Sequence, residues 1–257
     1  MMGRLLLRGM LVGLVAGLLT FTFLRVFGEP PIERAITFES ERNAAERLHE
    51  QQEHPGAAAQ PEEEELVSRP VQSTIGLFTG VMVYSAAFGG LFALVFAAVY
   101  GRVGALGARA TSALLGLAGF VAIYLVPNLK YPANPPSVGD PETIGLRTGL
   151  YFLAIVVSLV ALIVAVSVRR RLVARHGGWN ASLLGVAVYL VIVVLAALLL
   201  PSINEVPDGF PAVVLWRFRT ASIGAQAVMW TTLGLGFGAV VDLAWRGARR
   251  PMLSAAR

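Results

Sequence analysis

The chain has 257 residues, of which 56% are hydrophobic and only 14% charged. Soluble domains carry roughly 25% charged residues, so this chain lacks the polar cover a soluble surface needs. The apolar excess excludes a disordered chain, and 27 glycines in no three-residue period exclude a collagen-like one. With no cysteine there is no disulfide, no thiolate metal site and no cysteine nucleophile. The net charge of +5 acquires meaning only from where the charges sit.

A bilayer core about 30 Å thick needs roughly 20 apolar residues in a helix. In chain order, residues 5–27, 75–101, 110–129, 149–168, 181–200 and 221–245 meet that length. The expectation is an all-α membrane protein, one integral domain over 1–257 with six transmembrane helices. The first stretch reads as an uncleaved helix. Arg4 and Arg8 precede it, but Arg25-Val26-Phe27 stands where a small-residue cleavage site would follow. Gly9, Gly13 and Gly17 mark one face of it, and Gly76/Gly80 and Gly234/Gly238 repeat the four-residue spacing. Small residues let helix backbones approach closely in lipid, so these are expected packing seams.

Between the first two stretches lies the one long polar segment, 28–74, with eleven acids and four arginines. It opens with Gly28-Glu29-Pro30-Pro31. A helix is expected from about Thr37 to Glu53, ended by Pro55-Gly56, with a second helix start at Pro61 and Glu62 to Glu65. His49 and His54 lie among Glu46, Glu50 and Glu53. Imidazole and carboxylate together suit a divalent transition ion, and Glu50 and His54 share a helical face. Two histidines five apart do not share one, so a solvated charged helix is the competing reading.

The third stretch is expected to end near Pro127, with Asn128 just beyond it. A proline-rich loop follows, holding Lys130, Asn134, Asp140 and Glu142. Another lies between the fifth and sixth stretches, holding Glu205 and Asp208. Proline stiffens such loops, which would hold carboxylates and amides at fixed positions. Thr74-Ile75-Gly76-Leu77-Phe78-Thr79-Gly80 echoes Thr143-Ile144-Gly145-Leu146-Arg147-Thr148-Gly149, and Arg219-Thr220 echoes Arg147-Thr148. Three repeated hairpins would set these segments around a common mouth.

Inside the stretches, polar groups are sparse: Tyr84, Ser85, Tyr124, Ser158, Tyr189, Gln226, Thr231 and Thr232. No histidine and no central carboxylate occurs there, which argues against a proton relay, an intramembrane protease dyad or another membrane enzyme. No phosphate-binding Gly-x-x-x-x-Gly-Lys-Ser/Thr loop is present. Trp230 lies too deep for an interfacial belt and reads as core or pathway wall.

Charge distribution then gives a topology. Six crossings gather Arg4, Arg8, Arg102, Arg109, Arg169, Arg170, Arg171, Arg175, Arg246, Arg249, Arg250 and Arg257 on one face, with Asp242 as its only acid. The other face takes nine basic residues and fifteen acids. Lys and Arg mark cytoplasmic loops, so both termini are expected inside and the 28–74 loop outside. Tyr100, Trp179 and Trp245 then fall at the inner interface, and Tyr131, Tyr151 and Trp216 at the outer one. Topology accounts for the basic clusters, so no nucleic-acid partner is expected.

Several stretches together resemble the CbtA family of bacterial cobalt transporter proteins. They are Arg8-Gly9-Met10-Leu11-Val12-Gly13, Phe27-Gly28-Glu29-Pro30 with Ala35-Ile36-Thr37-Phe38-Glu39, Lys130-Tyr131-Pro132-Ala133-Asn134-Pro135-Pro136, and Asn204-Glu205-Val206-Pro207 with Leu215-Trp216-Arg217-Phe218-Arg219. The resemblance implies cobalt uptake across the bacterial inner membrane, linked to cobalamin synthesis. It also implies a small single-span partner, CbtB, with a histidine-rich end. The family is usually described with five spans, whereas the arginine asymmetry here requires six. Cobalt(II) favours imidazole over lone carboxylates, and none of this chain's three histidines lies in a span. The chain therefore reads as a permease body whose partner supplies imidazole, with cobalt as cargo and no resident cofactor. Glu29, Asn128, Lys130, Asn134, Asp140, Glu142, Glu205 and Asp208 are the candidates for bordering the outer entrance or ion path. A nickel permease and a non-transporting assembly protein are the alternatives.

Overall fold

A computed structural model describes residues 2–53, 67–102, 104–136 and 138–254. Among them no strand occurs, and five helices are long and apolar enough to cross a membrane. These are α1 (Met2–Glu53), α2 (Arg69–Val99), α3 (Ala108–Lys130), α4 (Ile144–Leu199) and α5 (Ala212–Gly247). His54, the Pro55-Gly56 stop and the helix start at Pro61 lie outside the described residues.

Five helices rather than six follow from α4, whose 56 residues would run about 84 Å if straight, far beyond a bilayer core. It is not straight. Gly177 has φ 75° and ψ 166°, a conformation that glycine reaches without steric cost. The two sides of this break meet in antiparallel register. Ser158 and Tyr189 share a hydrogen bond of 2.7 Å, and Arg169 Nε donates to Ser182 Oγ at 3.0 Å. Thirteen residues of straight helix would hold that second pair about 20 Å apart, so the chain turns back on itself at Gly177.

Two further expectations are corrected. The helix expected from about Thr37 begins without interruption from α1, because Glu29-Pro30-Pro31 does not break it. Likewise α3 does not end at Pro127 but runs to Lys130. In both places a π turn precedes the proline: Leu24–Gly28 in α1, where the Glu29 amide reaches back to the Leu24 carbonyl, and Phe120–Leu125 in α3, where the Val126 amide reaches the Val121 carbonyl. A widened turn shifts the hydrogen-bond register by one residue. It accommodates a ring that has no N–H and would otherwise collide with the preceding turn.

The chain divides into two compact units. One comprises Met1–Leu115, Asn134–Val138 and Pro207–Arg257, the other Gly116–Ala133 and Gly139–Val206. In the first, α1 packs antiparallel on α2. Its inward face is small (Gly9, Gly13, Ala16, Gly17) and its outward face large (Leu7, Leu11, Val15, Leu18). That inversion of the soluble pattern suits lipid, where close backbone approach replaces the hydrophobic drive. A Cβ added at Gly13 would collide with the Ser85 carbonyl, and one at Gly89 would stand 2.9 Å from the Gly13 Cα. At the start of α3, Ser112 Oγ donates to the Gly234 carbonyl at 2.6 Å, and a Cβ on Gly238 would lie 3.0 Å from the Arg109 Cα. Gly80 has no described neighbour within 4 Å of an added Cβ, and Gly76 meets only the Val71 carbonyl at 3.4 Å. Neither is part of a tight seam there. In the second unit, Ala161, Ala165 and Tyr189 form a buried cluster against Val121, Val126 and Ile192.

Candidate functional site

Most of the residues singled out from the two proline-rich loops, and Glu29, are held by specific partners. In the first unit, Arg69 Nη2 meets Glu29 Oε2 at 2.5 Å, and the glutamate is buried. Arg219 Nη2 donates to Asn134 Oδ1 at 2.9 Å. In the second unit, Glu205 accepts from Arg147 Nη1, from Thr143 Oγ1 and from the Asp140 amide, the last at 3.3 Å. Its side chain is 8% exposed. Asp140 in turn caps the 3₁₀ turn Pro141–Thr143 by accepting from the Glu142 amide at 2.9 Å. Asn128, also buried, accepts from the Ala133 amide at 3.2 Å, and Lys130 Nζ donates to Ser202 Oγ at 3.0 Å. Glu142 and Asp208 are exposed.

Carboxylate and amide oxygens thus serve chiefly to fix the loops. Each of the arginines Arg69, Arg147 and Arg219 sits near the beginning of a helix and ties down a distant segment. The Arg147-Thr148 and Arg219-Thr220 echo was the signal for two of these ties. Tyr131 adds another, its phenol donating to the Pro201 carbonyl at 2.9 Å. Burial pushes that phenol above its ordinary value of 10.

A second feature lies within the first unit, between α1, α2 and α5. A cavity of about 200 Å³ is bordered by Thr20, Leu24, Gly28 and Ile32 of α1, by Val81, Tyr84 and Ser85 of α2, and by residues of α5 including Ser222, Gln226 and Met229. From Gly28 to Thr20 it extends about 12 Å along α1. No lining residue is charged. Thr20 Oγ1 and Ser85 Oγ are both buried without a hydrogen-bond partner. Unpartnered buried hydroxyls carry a desolvation cost and commonly mark a place for water or a ligand. Tyr84, Ser85 and Gln226 are among the polar residues that hydropathy singled out at mid-depth. Thr20 and Ser222 were missed, since a lone hydroxyl in an apolar run gives no periodic signal.

Beyond Thr20 and Ser85 the cavity gives way to close packing. The glycine contacts of α1 with α2 lie there, as does an aromatic series. Phe88 meets Trp230 edge-on at 5.3 Å, and Phe92 and Phe96 meet Phe237 at 5.6 and 5.1 Å. Trp230 is therefore a core residue, 5% exposed. Phe237 ends the π turn Leu233–Phe237, a form of helix often found at functional sites. Still further along, Asp242 Oδ2 pairs with Arg109 at 2.8 Å and with Arg246 at 3.0 Å.

Among the described residues no group of three His, Asp or Glu side chains converges as metal ligands would. His49 and Glu50 are exposed on the polar part of α1.

The sequence matches the family described as a probable cobalt transporter subunit (CbtA) over residues 2–242. The chain belongs to the CbtA family. Neither the curated proteins nor the solved structures provide a match. Membership makes the chain a multi-pass membrane subunit of a probable cobalt transporter, which implies other subunits beside it. In this CbtA chain, then, Glu29 and Glu205 are engaged by arginine and Asp140 caps a turn, while the cavity is lined by uncharged residues.

Proposed function

We propose that this CbtA chain is the permease body of a cobalt(II) uptake system in the bacterial inner membrane, supplying metal for cobalamin synthesis, and that it is not an enzyme. The observation that carries the reading is the family match over nearly the whole chain. The chain crosses six times with both termini inside. The turn at Gly177 supports the sixth crossing, because it lets α4 pass out and back. The twelve-arginine inner face supports the orientation. On this topology the 28–74 segment and both proline-rich loops face outward, where fifteen acids raise the local concentration of cations. Imidazole ligands for capture come from a small single-span protein with a histidine-rich end, the CbtB-like partner.

Uptake of radioactive cobalt and nickel tests this in cells with the native system, in cells lacking this chain and in cells lacking the small partner. Loss of cobalt accumulation in both deletions is the expected result. Unchanged cobalt accumulation without this chain refutes the proposal, and loss of nickel uptake alone reassigns the cargo.

A further inference from the structure

The cavity between α1, α2 and α5 is the feature that the loop ties leave unexplained. Thr20 Oγ1 and Ser85 Oγ in its wall have no protein partner, the wall bears no charge, and its size is informative. Water occupies about 30 Å³ per molecule in the liquid, so a six-water octahedral shell takes about 180 Å³, which matches a cavity of about 200 Å³. A charge within a bilayer is tolerated where it keeps water around it. Metal-bound waters point their protons outward, and the groups that answer them are acceptors such as Thr20 Oγ1, Ser85 Oγ and the Gln226 carbonyl. An anion would call for cationic donors, which the wall lacks. The exposed Tyr84 ring adds a face that attracts cations and repels anions.

We infer that this cavity is a transit site for a hydrated divalent cation, with Thr20 and Ser85 accepting hydrogen bonds from its water shell. The inference rests on the uptake reading above. Neutral ligands hold such an ion weakly enough to release it, as a conduction path requires. Inward passage is closed by the Gly9/Gly13–Gly89 contact and by Phe92, Phe96 and Phe237. The site is therefore occupied from outside and shut toward the cytoplasm.

The test has two arms, both in cells carrying the complete native uptake system. First, cobalt-57 uptake is compared for the native chain, for the chain deletion, for Thr20→Val with Ser85→Ala, and for Thr20→Ser with Ser85→Thr, each normalised to membrane abundance. Uptake about tenfold or more lower in the first double variant is expected, the scale of a lost hydrogen bond to a charged species. The hydroxyl-retaining double variant is expected to stay within about twofold of native. If native and deleted cells do not differ, the uptake reading fails. If they differ while Thr20→Val with Ser85→Ala transports normally, or while both double variants lose uptake equally, the transit site is overturned and the uptake reading stands.

The second arm uses the absence of native cysteine. A membrane-impermeant cationic thiol reagent added outside intact cells is expected to label Ser85→Cys and the loop control Asp208→Cys, but not Val12→Cys, within the closure. Labelling of the loop control without Ser85→Cys overturns the outward access, and labelling of Val12→Cys overturns the closure.

Discussion

Replacing Gly139 by alanine separates two roles for Glu205, loop clamp and cation ligand. Gly139 has φ 142°, where a side chain is strained. A Cβ there would collide with Arg147 Nη1 and stand 3.1 Å from both Arg147 Nη2 and Glu205 Oε2. The torsional cost is of order 1–3 kcal/mol. Breaking a fully buried ion pair costs about 3–5 kcal/mol. Arg147 is 31% exposed, so solvent reduces that share to about 1–2 kcal/mol. Gly139→Ala should therefore destabilise by about 2–5 kcal/mol, and Glu205→Gln by about 1–2 kcal/mol. Because both disrupt one contact, the double variant should fall short of the sum by about 1 kcal/mol. Thermal unfolding of purified protein in detergent measures all three. Strict additivity to within about 0.5 kcal/mol, or a Gly139→Ala variant as stable as native, refutes the clamp. So does a Glu205→Gln chain that is fully stable yet transports less cobalt per folded molecule, since its carboxylate would then be meeting the ion.

The glycine seams should respond unequally. Gly13→Leu places a side chain against the Ser85 carbonyl and should cost at least about 2 kcal/mol. Gly80→Ala meets no described atom within 4 Å and should be neutral or gain up to about 1 kcal/mol; the same unfolding assay reads both. Tyr131→Phe removes the hydrogen bond to Pro201 and should cost about 0.5–1.5 kcal/mol near neutral pH. The raised phenol means that the unfolded chain ionises first. This residue's contribution is complete below about pH 10 and is lost as pH rises through its folded value. Unfolding followed against pH should show an alkaline decline that is smaller in Tyr131→Phe.

Much of this architecture was legible in the sequence because lipid imposes so few solutions. Runs of apolar residues forced helices, and the small residues at 9, 13 and 17 marked the face of α1 that approaches α2. The partner of that face was not legible, since Gly89 and Ser85 carry no spacing signature of their own. Proline misled in two places. At Pro30-Pro31 and Pro127 the expected breaks are absorbed by π turns, which depend on a one-residue shift of backbone hydrogen bonds rather than on residue type. The loop carboxylates stand out in the sequence, but the contacts they make do not. A glutamate reads the same in sequence whether it waits for a cation or lies against an arginine 58 residues away, as Glu205 does. His54 and the acids beyond it lie outside the described residues.

The arginine ties bear directly on selectivity. A carboxylate already accepting from a guanidinium, a hydroxyl and an amide, as Glu205 does, has little capacity left for an incoming ion. Glu29 is likewise spent on Arg69. Among the described residues, what the cavity offers a cation is neutral oxygen, which distinguishes poorly among hydrated divalent ions of similar size. Under the uptake reading, discrimination of cobalt from magnesium or calcium must then be made by imidazole before the ion reaches the cavity. Supplying histidine-rich capture in trans should therefore change which ion is transported, whereas altering Thr20 or Ser85 should change how fast any of them passes.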